Sequence, residues 1–322
     1  MDIYNGILIL SELEGSSVHK VCYELINKSL ELKESLQEPI ECLLLGPSGL
    51  DLSEINKRGA ETVYYMKSES FSEPEEYLYK QNIVKFIIEH KPKIVLIGAT
   101  TFGRSLAPRI AAALRTGLTA DCTDLIINGE GNFIQVRPAF SDNILAHINT
   151  VTFPKMATVR YKEFSEEAID ETRKTNIIEI EPYFSSYDKS EILKIFSEDN
   201  TNIAEAEVIV AAGRGIRKKE DLKMIEELAS KLGGVMGASR ALVDAGMVSS
   251  ARQVGYSGNR VKPRVYIACG ISGAPQHLAG MKESDIIIAI NSDPSAPIFS
   301  IANYGYVGDI YEIVPALIRD LA

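Results

Sequence analysis

The last third of the chain repeats one pattern: a short apolar run closed by a turn of small or polar residues. The runs 207–212, 234–236, 264–269, 285–290 and 305–307 end in Gly213-Arg214-Gly215, Gly237-Ala238-Ser239-Arg240, Gly270-Ile271-Ser272-Gly273, Asn291-Ser292-Asp293-Pro294 and Gly308-Asp309. Unbroken apolar runs of strand length, each followed by a turn and a helical piece, specify parallel strands buried on both faces. An antiparallel sheet with one wet face would alternate apolar and polar residues instead.

The first half carries the same alternation. Runs 7–10, 41–45, 62–66 and 93–99 are separated by amphipathic stretches at 18–36, 52–58 and 74–90, and another follows at 102–114. From 123 to 184 the pattern changes. Strands are expected at 133–137, 144–153, 157–161 and 177–180, extending the first sheet or covering its edge. A polar stretch, 185–205, reads as a linker. A chain of 322 residues exceeds one hydrophobic core. The expectation is α/β: two Rossmann-like three-layer domains, 1–200 and 201–322, with mainly parallel sheets.

Composition limits the function. With 45% hydrophobic and 24% charged residues the chain is neither disordered, collagen-like nor a coiled coil. The net charge of −10 disfavours nucleic-acid binding. From residue 201 onward there are 13 basic and 13 acidic side chains, so the whole negative charge falls in residues 1–200, while 13 of the 23 glycines lie after 200. A neutral, glycine-rich part can take an anionic ligand against its backbone more readily than an acidic one. Cys22, Cys42, Cys122 and Cys269 show no metal or disulfide spacing with one another or with the four histidines, which fits a reducing compartment. The chain starts without a signal-like n-region and no apolar run reaches membrane-spanning length, so a cytoplasmic protein without membrane insertion is expected.

In open parallel sheets ligands sit at the carboxyl ends of the strands, where free N–H groups of following helices favour phosphates. Gly213-x-Gly215 is not a nicotinamide fingerprint, because Lys218 stands where the third glycine belongs. In Ser272-Gly273-Ala274-Pro275-Gln276-His277, Ser272 or Gly273 is the expected cap and Pro275 suits a first helical turn. That puts Gln276 and His277 at the ligand edge. His277 reads either as a satisfied core group or as a ligand contact. Near a helix N-terminus it is expected to be neutral. Arg214 and Arg240 can each clamp a pyrophosphate or lie over a planar ring, although Asp244 offers Arg240 a carboxylate partner. The loop Gln253-Val254-Gly255-Tyr256-Ser257-Gly258 is polar and glycine-spaced. Asp309 fits an N-cap for the last helix. No Gly-x-Ser-x-Gly elbow, Walker loop or His-Glu-x-x-His is present, which suits a protein whose chemistry belongs to a bound cofactor.

These turns resemble the FAD domain of the electron-transfer flavoprotein alpha subunit. The segments that carry the resemblance are 266–282, 288–299, Tyr304–Asp309 and 237–246. In the first half, 103–109, 119–124 and 137–140 resemble the family too. The resemblance implies an electron carrier, the redox-active subunit of a flavoprotein complex, with FAD in the C-terminal domain. It implies Arg214 and Ser239 on the ADP side and Arg240 against the isoalloxazine, where its charge favours the reduced anion. It implies Gln253, Val254, Gly255, Tyr256 and Ser257 along the flavin, with the Ser257 hydroxyl near N5. Ser272, Gly273, Ala274, Pro275, Gln276 and His277 would contact the ribityl–pyrophosphate and ring edge, with His277 near the pyrimidine carbonyl. Asn291, Asp309 and Ile310 would hold the adenosine end. Tyr256 replaces the family's frequent glutamine and Pro275 its frequent isoleucine. Both departures are expected to leave FAD binding intact.

The family pairs with a beta subunit that holds AMP or, in electron-bifurcating members, a second FAD. It serves a flavin dehydrogenase of the acyl-CoA type. The acidic first domain would then be the docking face for the beta subunit. The sequence leaves open a non-redox nucleotide-binding regulatory module.

Overall fold

A computed structural model describes residues 4–139, 141–166, 169–184 and 202–321. The chain divides into two compact units, Met1–Glu191 and Ile192–Ala322. The expected domain boundary at 200/201 and most of the expected linker lie outside the described residues.

The first unit opens with β1 (Ile7–Ser11), the short pair β2 (Leu13–Glu14) and β3 (Ser17–Val18), and α1 (Lys20–Leu36). There follow β4 (Ile40–Gly46), β5 (Thr62–Lys67), α2 (Glu76–His90), β6 (Ile94–Gly98), α3 (Thr101–Leu114) and β7 (Leu118–Cys122). Then come β8 (Asp124–Ile127), β9 (Phe133–Ala139), β10 (Ser141–Ile148), β11 (Lys155–Val159) and β12 (Asn176–Ile180). Seven of these strands form one sheet in the order β12-β5-β4-β1-β6-β11-β7, and every neighbour is parallel.

The continuous apolar runs have the expected cause. All five residues of β1 are buried. Ile7 and Ile9 pack with Val21, Cys22, Leu25 and Ile26 of α1, while Leu8 and Leu10 pack with Ile83, Phe86, Leu106 and Ile110 of α2 and α3. Each fully buried aliphatic side chain contributes about 1.5–3 kcal/mol, so replacing one by a polar residue is costly on either face. The segment 52–58 shortens to a 3-10 turn at Ile55–Lys57.

The strands after 123 differ from expectation. β11 enters the interior of the sheet, between β6 and β7. Its five residues are all buried. Only β12 extends the edge, beside β5. β8, β9 and β10 make a separate three-stranded antiparallel sheet.

The second unit consists of β13 (Val208–Ala212), α4 (Leu222–Lys231), β14 (Val235–Ala238), α5 (Arg240–Asp244), β15 (Val265–Cys269), α6 (Pro275–Leu278), β16 (Ile286–Asn291), β17 (Tyr304–Val307) and α7 (Ile310–Asp320). Its five strands are parallel in the order β14-β13-β15-β16-β17. The strand order reverses direction between β13 and β15, which makes that crevice the switch point of a doubly wound sheet.

One face is covered by α4 and α7, through Ile225, Leu228, Ala229, Ile310 and Val314. The other is covered by Val254, Val261, Ile271, Met281, Ala296 and Ile298, from irregular segments and short helical turns. The second layer here is therefore loops that carry polar groups to the strand ends. Among the described residues no helix is long and apolar enough to cross a membrane.

Candidate functional site

The five strand ends of the second unit are joined along one edge by backbone hydrogen bonds. Ser239 N donates to Ala212 O (2.9 Å), Gly213 N to Cys269 O (2.8 Å), Gly270 N to Ile290 O (2.8 Å) and Gly308 N to Asn291 O (3.0 Å). Each turn thus starts where its neighbour's strand stops, and all five turns share one rim.

The glycines at the switch point serve this packing. A Cβ on Gly213 would overlap the Gly270 carbonyl oxygen, and one on Gly215 would lie 2.9 Å from Gly270 Cα. Gly270 itself has φ +65°. The immediate cause of these glycines is the contact of two adjacent turns.

Two further segments fold over the rim. In the loop 253–258, Val254 N donates to Ala238 O (2.8 Å) and Tyr256 N to Gln276 O (2.7 Å). The loop is thereby fixed to the end of β14 and to α6. Gly280 lies so close that a Cβ there would sit 2.5 Å from Gly255 Cα. Gln253 is buried and its Nε2 donates to Ser257 Oγ (3.3 Å). Tyr256 is exposed, with the Arg260 guanidinium 5.0 Å from its ring centroid.

Among the described residues the helix-terminus argument finds no support at α5 or α6. α5 has five residues and α6 four, too short to sum a useful dipole. Ala274, not Ser272 or Gly273, occupies the cap position of α6, with Pro275 at the first turn. At α7, Asp309 caps as expected, accepting from Tyr311 N (2.9 Å).

His277 is buried, and its Nε2 lies 2.9 Å from the Tyr266 hydroxyl. Burial lowers its pKa to about 4, opposed weakly by the Val254 carbonyl beside the ring. The imidazole is neutral as expected, but the cause is loss of water and not a helix end. Burial likewise raises the Tyr266 hydroxyl pKa far above the usual tyrosine value.

His277 Nδ1 and Ser239 Oγ are buried and have no hydrogen-bond partner among the described residues. Arg214 and Arg240 are exposed. The Arg240–Asp244 pair forms, at 3.3 Å. Ser257, Ser272, Ala274, Pro275 and Gln276 are exposed along the same rim, and Gly273 is buried with φ +91°.

Three sites have structural duties of their own. Asn291 is buried, donates to Ile271 O (2.9 Å) and accepts from Asp293 N (2.9 Å), so its amide ties two turns together. Asp309 faces Arg217 at 3.6 Å. Ile310 is buried in the core below Gly215 and Gly270.

Sequence reasoning missed the cluster around Arg217. Its backbone N donates to Tyr311 OH (2.9 Å), which donates to Asp221 Oδ2 (2.7 Å), and its guanidinium lies 5.0 Å from the Tyr311 ring centroid. No local motif joins positions 90 residues apart. Tyr266 was also missed, although a tyrosine inside an aliphatic strand requires a partner for its hydroxyl.

A doubly wound parallel sheet with exposed arginines and buried unpartnered polar atoms at its switch-point edge defines a nucleotide-binding α/β protein. Comparison with known proteins narrows this. Residues 7–185 match the family described as Electron transfer flavoprotein domain, and residues 202–282 the Electron transfer flavoprotein FAD-binding domain. The chain is 41% identical over 326 aligned positions to Electron transfer flavoprotein subunit alpha of Thermoanaerobacterium thermosaccharolyticum, covering 100% of this chain and 99% of that one. It is 42% identical to the Lactate dehydrogenase (NAD(+),ferredoxin) subunit LctC of Acetobacterium woodii, covering 98% of this chain and 77% of the relative. It is 36% identical to Protein FixB of Rhizobium meliloti, covering 98% and 92%. The chain belongs to the electron transfer flavoprotein alpha-subunit family. Its C-terminal unit is of the family's flavin-binding type.

Proposed function

We propose that the second unit holds FAD along the rim of β13–β17 and that the chain, paired with a beta subunit, carries electrons between a donor and a flavin dehydrogenase. The observation that carries the reading is the pair of buried, unpartnered polar atoms, Ser239 Oγ and His277 Nδ1, on an edge that also displays Arg214 and Arg240. Buried polar atoms without partners are costly, and a polar ligand at this edge would satisfy them.

FAD, when bound, supplies the redox chemistry by accepting and releasing electrons one at a time. Arg214 and Ser239 would hold the ADP side. Arg240 would lie against the isoalloxazine, its fixed positive charge favouring the reduced anion. Gln253 through Ser257 would line the ring, with the Ser257 hydroxyl toward N5. Ser272 through His277 would contact the ribityl–pyrophosphate and the ring edge. Asn291, Asp309 and Ile310 would shape the adenosine end. The first unit would dock the beta subunit, which brings AMP or a second FAD. A cytoplasmic setting is supported by four buried free thiols.

The test is copurification of the two subunits and measurement of flavin absorbance and stoichiometry. A yellow complex with one FAD and one AMP supports a simple carrier, and two FAD per dimer supports bifurcation. A colourless complex that refuses added FAD leaves the non-redox regulatory module as the reading.

A further inference from the structure

Among the described residues Tyr266 is the largest fully buried side chain of the second unit, and its hydroxyl makes one hydrogen bond there, to His277 Nε2. The shared proton can sit on either atom. If Nε2 carried it, the tyrosine O–H would point at nothing, since no second acceptor reaches that oxygen among the described residues. Nδ1 would then be a bare lone pair with no donor beside it among the described residues. Both groups would be left unmatched in a site without water.

If the hydroxyl carries the proton, the tyrosine donates to Nε2 and Nδ1 holds the ring hydrogen, so that only this one N–H is left for a ligand at the rim.

We infer that Tyr266 is a positioning residue whose hydroxyl donates to His277 Nε2, fixing the imidazole as its Nδ1–H tautomer. The other ring nitrogen, Nδ1, is then a neutral hydrogen-bond donor. Resting on the flavin reading above, it would give a flavin carbonyl a hydrogen bond without a charge. Stabilisation of the reduced ring by positive charge then falls to Arg240.

The test uses the copurified complex with its histidines labelled in nitrogen-15, His277 being assigned by the loss of its signals in His277→Gln. The expected spectrum shows His277 with Nδ1 protonated and Nε2 not. Tyr266→Phe keeps the ring packing and removes the hydroxyl. In that variant the two nitrogen shifts should move toward each other as the tautomers mix. Where FAD is retained, its reduction potential should also fall relative to wild type. A wild-type signal with the proton on Nε2, or an unchanged pattern in Tyr266→Phe, overturns the inference. The wild-type spectrum alone decides if the variant fails to fold. A complex that shows the expected tautomer but takes up no FAD sinks the flavin reading and leaves the tautomer assignment standing.

Discussion

Arg240 keeps 70% of its side chain exposed and pairs with Asp244, which keeps 64%. Exposed pairs of this kind contribute about 0–1 kcal/mol to stability. Arg240→Ala should therefore leave thermal unfolding of the apo chain nearly unchanged while lowering the flavin reduction potential. Equal potentials for variant and wild type in a redox titration would reject its role. His277 makes a different prediction. Its pKa falls from 6.5 to about 4 in the folded state, so between those values the unfolded chain binds a proton there and the folded chain does not. Stability contributed by this group is complete above pH 6.5 and is lost as pH falls toward 4, by about 2 kcal/mol between pH 7 and 5. Urea unfolding at both values should show that extra loss in wild type and not in His277→Gln. At this scale the sequence was informative where side chains announce themselves. Arg240's partner was readable four residues away, on one helix face. His277's partner was hidden in an apolar strand, because hydropathy does not register one hydroxyl among isoleucines.

The elements show why turns were easier to find than to explain. Gly213, Gly215 and Gly270 stood out as glycines, but only the sheet order reveals that they press on each other. Gly213→Ala should destabilise the second unit by about 3 kcal/mol, since a backbone carbonyl has nowhere to retreat. Gly246 has φ +67° and open space around it, so Gly246→Ala should cost only about 1 kcal/mol, from backbone strain alone. Chemical denaturation that ranked the two variants the other way would contradict the packing argument. The strands themselves were legible because two-sided burial makes their runs mostly apolar. Their neighbours were not. β11 reads as one more short strand, and its insertion between β6 and β7 depends on pairing across about 60 residues of chain. Helical pieces were expected after β14 and β15, and they run only five and four residues, because a proline or a cap marks where a helix starts and not how far it runs.

For the whole molecule, charge and glycine content already separated an acidic half from a neutral one. The structure likewise divides the chain into two compact units. A ligand confined to one unit should stabilise that unit alone. FAD at a hundredfold excess over its dissociation constant should add about 2.7 kcal/mol to amides of β13, β15 and β16 in hydrogen exchange. Amides of β1, β4 and β6 should gain little. Equal protection of both sets would mean that the flavin does not belong to the second unit alone.

The enclosed sulfurs have a practical consequence. Cys22, Cys42 and Cys122 lie in the first unit and Cys269 ends β15 in the second, all of them buried and unlinked. Burial pushes the Cys269 thiol up to about 12, so it offers almost no thiolate to an oxidant or alkylating reagent. Each half therefore carries its own silent alarm: modification at Cys269 would record opening of one half, and modification at the other three, opening of its neighbour.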